Sequence, residues 1–382
     1  MDILLNFVPL KSGGGLQVGL DFVRQAKLHG GAHRWHLVAT AGTALARIEP
    51  ERTVVRARMV ERTARARAWF EYVGCRALTR RVGPAAIYTQ FGPQWPGARG
   101  CVNVVGCAYS NLFYPEIDFW RGLARPRRFQ RQLIDRVREA RLRDADAVVF
   151  ETQDLAERAV SVLALDAARV HVVRPSISSL VSADAHHEET HARCQAMPAG
   201  FRVLLLSAYN PNKNIELLPD IARALRDNHA RSEVVFVITL PFASRAARAV
   251  LAKAEALGVR AMVHNLGPID PAGCAEVYRD CDAVILPSQL ESFSNTIAEA
   301  WAMDRPLLIS DMPWSRALCG EGAAYFAFGD AGSAAATLRD VETSAALRME
   351  LVRRGRAMLG SYPTAEQRFR AYVHIIERYA ER

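Results

Sequence analysis

The sequence predicts an α/β protein made of two parallel-sheet domains, and three observations carry that expectation. Short apolar runs of strand length alternate with longer segments of helical spacing from Asp2 to Val173. The alternation stops over Ser176 to Gly200, which is rich in Ser, Ala, His and Glu and has little periodicity. It then restarts at Arg202 and continues to Ser310. Strands that alternate with helices make a parallel sheet covered on both faces. With 382 residues the chain has room for two such Rossmann-like domains, expected to face one another.

In the first half Asp2–Val8 reads as a buried strand, Gly13–Gly15 as a turn and Leu16–Leu28 as a helix. Trp35–Thr40, Ala85–Thr89, Val102–Gly106, Ala147–Glu151 and Val170–Val173 are short apolar runs, and arginine-bearing helices lie between them. In the second half Arg202–Ser207, Glu233–Leu240, Arg260–Leu266, Ala283–Leu286 and Pro306–Ser310 read as strands. Helices are expected over about 214–226, up to about Leu257, after an Asp270 cap with Pro271 in the first turn, and from Asn295 to Met303. Thr364 and Gln367 form a capping-box signature for a last helix, with Phe369, Tyr372, Val373, Ile376 and Tyr379 on one side. The expected domains are 1–178, a connection over 179–200, 201–362, and a terminal helix over 363–382.

Composition narrows the class. Half the residues are hydrophobic and 23% are charged, a globular balance without long disorder. The N-terminal apolar run is short, carries Asp2 and lacks a cleavage pattern, so no signal peptide is expected. No apolar run reaches the ~20 residues that span a bilayer. The seven cysteines are odd in number and include no Cys-x-x-Cys, which fits a reducing cytoplasm. The net charge of +9 is concentrated in Arg52–Arg81 and Arg121–Arg143. Such a surface attracts anionic headgroups or a phosphorylated acceptor, or is a solvated helix face. A place at the inner face of the cytoplasmic membrane is therefore one option, and no nucleic-acid partner is expected.

Pro287 to Ala300 carries the chemistry. It follows a buried strand and opens a helix, where a parallel sheet places its ligands. Backbone N–H groups around Ser292, Phe293, Ser294, Asn295 and Thr296 are free donors at the positive end of a helix dipole, suited to a phosphate or a sugar hydroxyl. Glu291 precedes them, and Glu299 lies four residues after Asn295 on the same helix face. A carboxylate can hold two vicinal hydroxyls, as sugars and ribose present them. Two such grips around an anion site match the shape of a nucleotide-sugar.

Glu291-x7-Glu299, within Pro-Ser…Glu-Ser-Phe-Ser…Glu-Ala-Trp-Ala…Arg-Pro-Leu-Leu-Ile-Ser-Asp, resembles the family-4 retaining glycosyltransferases of the GT-B fold. The resemblance implies two facing Rossmann-like domains with a C-terminal helix crossing back to the first. It implies that Glu291 touches the donor sugar and Glu299 holds the ribose. Lys213 matches the lysine that binds the diphosphate, whereas Ala208 stands where the family has arginine. Gly267, Pro268 and Ile269 match the turn that packs on the base, and Gly13, Gly14 and Gly15, assisted by Lys11, the loop near phosphate and acceptor. The implied activity is retaining sugar transfer from a nucleotide diphosphate sugar to a glycan or lipid-linked acceptor, in bacterial surface polysaccharide or lipopolysaccharide assembly. No cofactor and no metal are expected.

The first domain should select the acceptor. Tyr109, Ser110 and Glu151 are the leading positions there, in a set with Tyr88–Trp95, Asn111, Tyr114, Glu116 and Thr152. His187-Glu188-Glu189-Thr190-His191 has zinc-protease spacing but lies in the polar connection without an apolar face. Asp280-Cys281-Asp282 has the form of a metal motif at a helix-to-strand junction, where a structural role is expected. Two alternatives remain: a nucleotide-sugar epimerase of the same fold, and a non-catalytic nucleotide-sugar or glycan-binding protein.

Overall fold

The computed structural model describes all residues except 12, 97–99, 121–122, 177–180, 182–185, 229–231 and 382. The chain forms two compact units, 1–176 together with 363–382, and 177–362. Each is a parallel sheet flanked by helices, so both are Rossmann-like.

The first sheet contains β1 (Asp2–Phe7), β2 (Arg34–Thr40), β3 (Val54–Val60), β4 (Ala86–Gln90), β5 (Val102–Gly106), β6 (Ala147–Phe150) and β7 (Val170–Val172). Their order is β3-β2-β1-β4-β5-β6-β7. The direction of winding reverses between β1 and β4, whose registers join Ile3 to Ala86 and Asn6 to Thr89. Buried runs such as Ile3-Leu4-Leu5 explain why the strands read as continuously apolar.

β3 was not expected, because its arginines placed it within a helical stretch. Only its two ends, Val54 and Val60, are buried, whereas Arg56 and Arg58 are exposed on either side of a bulge, as an edge strand permits. The glycines expected as a turn instead form the first turn of the helix Gly13–His29, with Gly13 at φ 63°. The helix Ala365–Ala380 carries the expected Thr364/Gln367 capping box. It buries Phe369, Tyr372, Ile375, Ile376 and Tyr379 in the core of the first unit, beside Phe22, Trp35 and Tyr88. Ring centroids of Phe22 and Phe369 are 5.0 Å apart, and those of Tyr88 and Tyr372 are 5.1 Å apart.

The second sheet contains β8 (Phe201–Leu205), β9 (Val234–Ile238), β10 (Val263–Asn265), β11 (Ala283–Leu286), β12 (Leu307–Asp311) and β13 (Ala324–Ala327). Their order is β10-β9-β8-β11-β12-β13, so the winding reverses between β8 and β11. β13 is a second edge strand that the sequence reading omitted. The helix expected from 214 begins at Leu218, after 3₁₀ turns Pro211–Lys213 and Ile215–Leu217 separated by left-handed Asn214. Asp270 precedes a 3₁₀ turn but its side chain accepts no capping bond, and the helix proper starts at Cys274. Asp282 accepts from the Arg202 amide at 2.8 Å, a structural bond between the starts of β8 and β11.

The expected connection over 179–200 needs correction. Residues 177–180 and 182–185 lie outside the described residues, but the remainder belongs to the second unit. Glu188–Gln195 is a helix that buries Thr190 and Cys194. Its polar composition hid this, because only one narrow face meets the helix Cys274–Arg279.

Candidate functional site

Ligands of open parallel sheets bind beyond the strand carboxyl ends where the winding reverses. In the second unit that place lies past β8 and β11. The loop after β8 presents Lys213 and the loop after β11 presents Glu291, and the two side chains meet. Lys213 Nζ is 2.6 Å from Glu291 Oε1, with side chains 16% and 9% exposed. The contact is a close ion pair between the two loops.

Both loops are braced. The Gln289 amide donates to the Asn212 carbonyl at 2.7 Å, and Asn212 Nδ2 donates to the Leu290 carbonyl at 2.8 Å. Trp314 Nε1 donates to the Gln289 carbonyl at 2.9 Å. Lys213 itself closes a 3₁₀ turn ended by left-handed Asn214, a conformation asparagine tolerates. Thus β8, β11 and the helix Pro313–Cys319 together fix the distance between cation and carboxylate.

The helix Asn295–Ala302 begins just beyond. Ser294 occupies its N-cap but its side chain makes no capping bond. The N–H groups of Asn295 and Thr296 therefore remain available for an anion, whereas that of Ile297 donates to the Ser294 carbonyl at 2.9 Å. Thr296 Oγ1 donates to the Leu206 carbonyl at 3.2 Å and ties the helix start to the end of β8. Phe293 packs on Tyr362, with centroids 6.0 Å apart.

Glu299 is buried one turn deeper, and its Oε2 accepts from Tyr278 Oη at 2.8 Å. Burial raises its pKa, while the tyrosine bond pulls the other way. It is therefore a separate grip from the Lys213–Glu291 pair. Gly267 sits at φ 81°, and a side chain there would collide with the ring of Phe242. Arg193 Nη1 donates to the Pro268 carbonyl at 3.1 Å, and Nη2 bonds the Leu266 carbonyl. The turn Leu266–Ile269 is thereby held by arginine and covered by an exposed aromatic ring, both against Gly267.

Tyr278, Phe242 and Arg193 were missed in the sequence reading. Only Phe242 left a signal, as an aromatic residue just past an apolar strand. At the Ala208 position, Tyr209 Oη donates to Glu216 at 2.7 Å, which pushes its pKa to about 12 with burial adding to the shift. The charge of Arg245 is felt at that hydroxyl and opposes the shift, so a guanidinium does lie near this loop. A larger open cleft of about 480 Å³, lined by Asp282, Asp304, Arg305, Arg348 and Arg353 among others, lies at the amino ends of β11 and β12. It is thus remote from the chemistry.

In the first unit the expected acceptor positions separate. Tyr109 is pushed to about 12 by burial, its ring faces Arg138 at 4.1 Å, and its hydroxyl donates to the Phe91 carbonyl at 3.4 Å. Ser110 is buried in a 3₁₀ turn. Asn111 donates to Asp135 at 2.9 Å, Tyr114 to Asp154 at 2.5 Å, and Glu116 pairs with Arg158 at 2.8 Å. These three are engaged in packing the loop rather than free for a ligand. Glu151 is buried 3.8 Å from Arg368 of the terminal helix, and Arg368 in turn lines a slot with Gln25, Gln90 and Ser176. Lys11, past β1, has its amine pushed down by burial and then by the charges of Arg67 and Arg62.

His187 and His191 do not act together. His187 caps its helix, its ring accepting from the Thr190 amide at 3.3 Å. His191 and His186 turn to Glu276, at 3.4 and 2.7 Å, and their ligating atoms lie within 4.8 Å of one another. Arg279 already occupies Glu276 Oε2 at 2.6 Å. Among the described residues no helix is long and apolar enough to cross a membrane.

Residues 200–343 match the family described as Glycosyl transferases group 1. A D-inositol 3-phosphate glycosyltransferase of Actinosynnema mirum is 30% identical over 170 residues, covering 43% of this chain and 41% of that protein. The chain thus spans about two fifths of the length of the curated relatives it matches. Sucrose-phosphate synthase from Thermosynechococcus elongatus superposes with a TM-score of 0.76 at 15% identity, over 99% of this chain and 98% of the other. WaaG, a glycosyltransferase involved in lipopolysaccharide biosynthesis, superposes with a TM-score of 0.72 at 14% identity, over 98% and 99%.

Proposed function

We propose that the protein, whose residues 200–343 match the family described as Glycosyl transferases group 1, transfers a sugar from a nucleotide diphosphate sugar with retained stereochemistry. The observation that carries this reading is the Lys213–Glu291 pair across the β8/β11 reversal, beside a helix start with no side-chain cap. In the reading, Lys213 and the N–H groups of Asn295 and Thr296 receive the diphosphate. Glu291 holds hydroxyls of the donor sugar. Glu299, fixed by Tyr278, takes the ribose, and Phe242 with Gly267–Ile269 walls the base.

The acceptor hydroxyl attacks on the face from which the nucleoside diphosphate leaves. A donor phosphate oxygen takes its proton, so no protein base is required. Lysine and helix dipole stabilise the charge that grows on the departing diphosphate, and positioning supplies the rest. This chemistry asks for no metal. The acceptor is a glycan or lipid-linked sugar of bacterial surface polysaccharide or lipopolysaccharide assembly, met at the inner face of the cytoplasmic membrane. Support for that finer statement is the basic first unit and the resemblance to a lipopolysaccharide enzyme.

Calorimetric titration with UDP, GDP and their sugars tests the donor site. Binding by one of them, lost in Glu299→Ala and Lys213→Ala, is the expected result. Absence of binding to the wild-type protein at millimolar concentration refutes it. Conversion of the donor sugar without an acceptor would instead favour the epimerase.

A further inference from the structure

The helix Arg125–Arg143 buries Asp135, Arg141 and Leu142 on one face. On the other face Phe129, Leu133 and Val137 stand 66%, 53% and 42% exposed. Spaced by four residues, they form one continuous stripe along the helix. Large apolar side chains on a soluble monomer are normally scattered, so a stripe signals an occupant.

The helix carries eight arginines and two acids, and five of the arginines fall into two groups. Arg128, Arg138 and Arg141 are spent on the fold, pairing with Asp118 at 3.0 Å, Asp135 at 2.9 Å and Glu71 at 3.5 Å. Arg125 and Arg136 lie one turn from Phe129 and Leu133 respectively, are exposed, and have no carboxylate partner among the described residues. Cations therefore border the stripe where nothing neutralises them.

A second patch adjoins the first. Trp69, Tyr72 and Val73 are each at least half exposed on the neighbouring helical segment 64–82. Arg65, Arg76 and Arg80 are exposed on the same segment and also lack a carboxylate partner among the described residues. Arg141, one turn beyond Val137, donates to Tyr72 Oη at 2.7 Å and so joins the two patches. Arg67 of this segment acts on Lys11, so the surface extends to the carboxyl end of β1.

We propose that these two helices form a docking surface for a membrane leaflet rich in anionic lipid. Phe129, Leu133, Val137, Trp69 and Val73 enter the headgroup–acyl boundary, and Arg125, Arg136, Arg65, Arg76 and Arg80 meet lipid phosphates. Charge complementarity selects the occupant. A helix with aromatic and aliphatic residues on one side and arginines beside them lies in the plane of such an interface. A nucleic acid would use the arginines but leave the aliphatic stripe in water. The inference rests on the proposed lipid-linked acceptor only for its purpose, which is to bring that acceptor to the loop after β1.

The test is flotation of the full-length protein with vesicles of phosphatidylcholine alone or with phosphatidylglycerol, at low and high salt, with duplex DNA as competitor. The expected result is binding to the phosphatidylglycerol vesicles alone. Phe129→Ser with Leu133→Ser should weaken it roughly tenfold even at low salt, because apolar insertion is not screened. Arg125→Gln with Arg136→Gln should weaken it several-fold at low salt and little at high salt. UDP or GDP binding, measured in parallel, should be unchanged in both variants and reports that they fold. No binding to anionic vesicles overturns the proposal. So does vesicle binding that ignores the serine variant, or that DNA displaces at equal phosphate, since the surface is then a polyanion site. Loss of nucleotide binding in the wild type would refute the donor reading without touching the vesicle result.

Discussion

In the free protein Lys213 is held by the carboxylate that should later hold the sugar, so a nucleoside diphosphate must compete with Glu291 for its cation. Replacing Glu291 by Gln keeps the shape and removes the competitor. The pair is 2.6 Å long, but its lysine still touches water. A partly solvated pair of this kind is worth about 1 kcal/mol net. Glu291→Gln should therefore bind the sugar-free nucleoside diphosphate about fivefold more tightly, while transfer from the full donor slows. Lys213→Met loses a charge-assisted bond worth about 1.5–3 kcal/mol and should bind roughly 10- to 150-fold more weakly. In the double variant no lysine remains to be released, so its affinity should match Lys213→Met. Calorimetry on the four proteins closes this cycle. If Glu291→Gln binds the diphosphate no better than the wild type, the pair is not a competitor and the assigned division of labour is wrong.

Three further outcomes follow from named contacts. Glu299→Ala should cost about 1.5–3 kcal/mol in nucleoside diphosphate affinity and erase the preference for ribose over deoxyribose nucleotides, read by parallel titrations. Burial works against the ionised form of Glu276, but the His187 amide, Arg279 and His186 outweigh it and hold the carboxyl at about 2. A depressed carboxyl stabilises fully above its ordinary value of 4.5, and that contribution is lost as pH falls from there toward about 2. Unfolding free energies of wild type and Glu276→Gln, from urea titrations, should therefore differ at neutral pH by on the order of 3 kcal/mol and converge in acid; a gap that persists in acid would contradict the pairing. Gly355→Ala improves helix propensity, yet its new carbon would collide with the Trp301 ring. Denaturant melts should show a net loss of about 1–3 kcal/mol.

Much of the fold was legible because core strands are continuous apolar runs, as in Leu4 or Val284. The edges were not. β3 and β13 each have only one neighbour, so Arg56 can stand in a strand and mimic a helical arginine run. The helix Glu188–Gln195 escaped for the opposite reason, since a short helix with two buried residues leaves almost no period to detect. In the donor site, the residue types of Lys213, Glu291 and Glu299 could be read from one local segment and one strand end. Their pairing could not, because Lys213 and Glu291 lie 78 positions apart, and Tyr278 reaches Glu299 from a different helix. Glu151 was singled out by its position after β6. Its burial beside Arg368 shows that it faces the terminal helix, a partner no local pattern reveals.

The terminal helix also sets an order of events during synthesis. Residues 365–380 complete the aromatic core around Phe22, Trp35 and Tyr88, yet the ribosome makes them only after the entire second unit. The first unit, begun first, is finished last. Until then its half-built core must wait with those rings uncovered while residues 177–362 are made and fold independently. A nascent chain halted anywhere before Phe369 should therefore bind chaperones through its oldest part, not its newest.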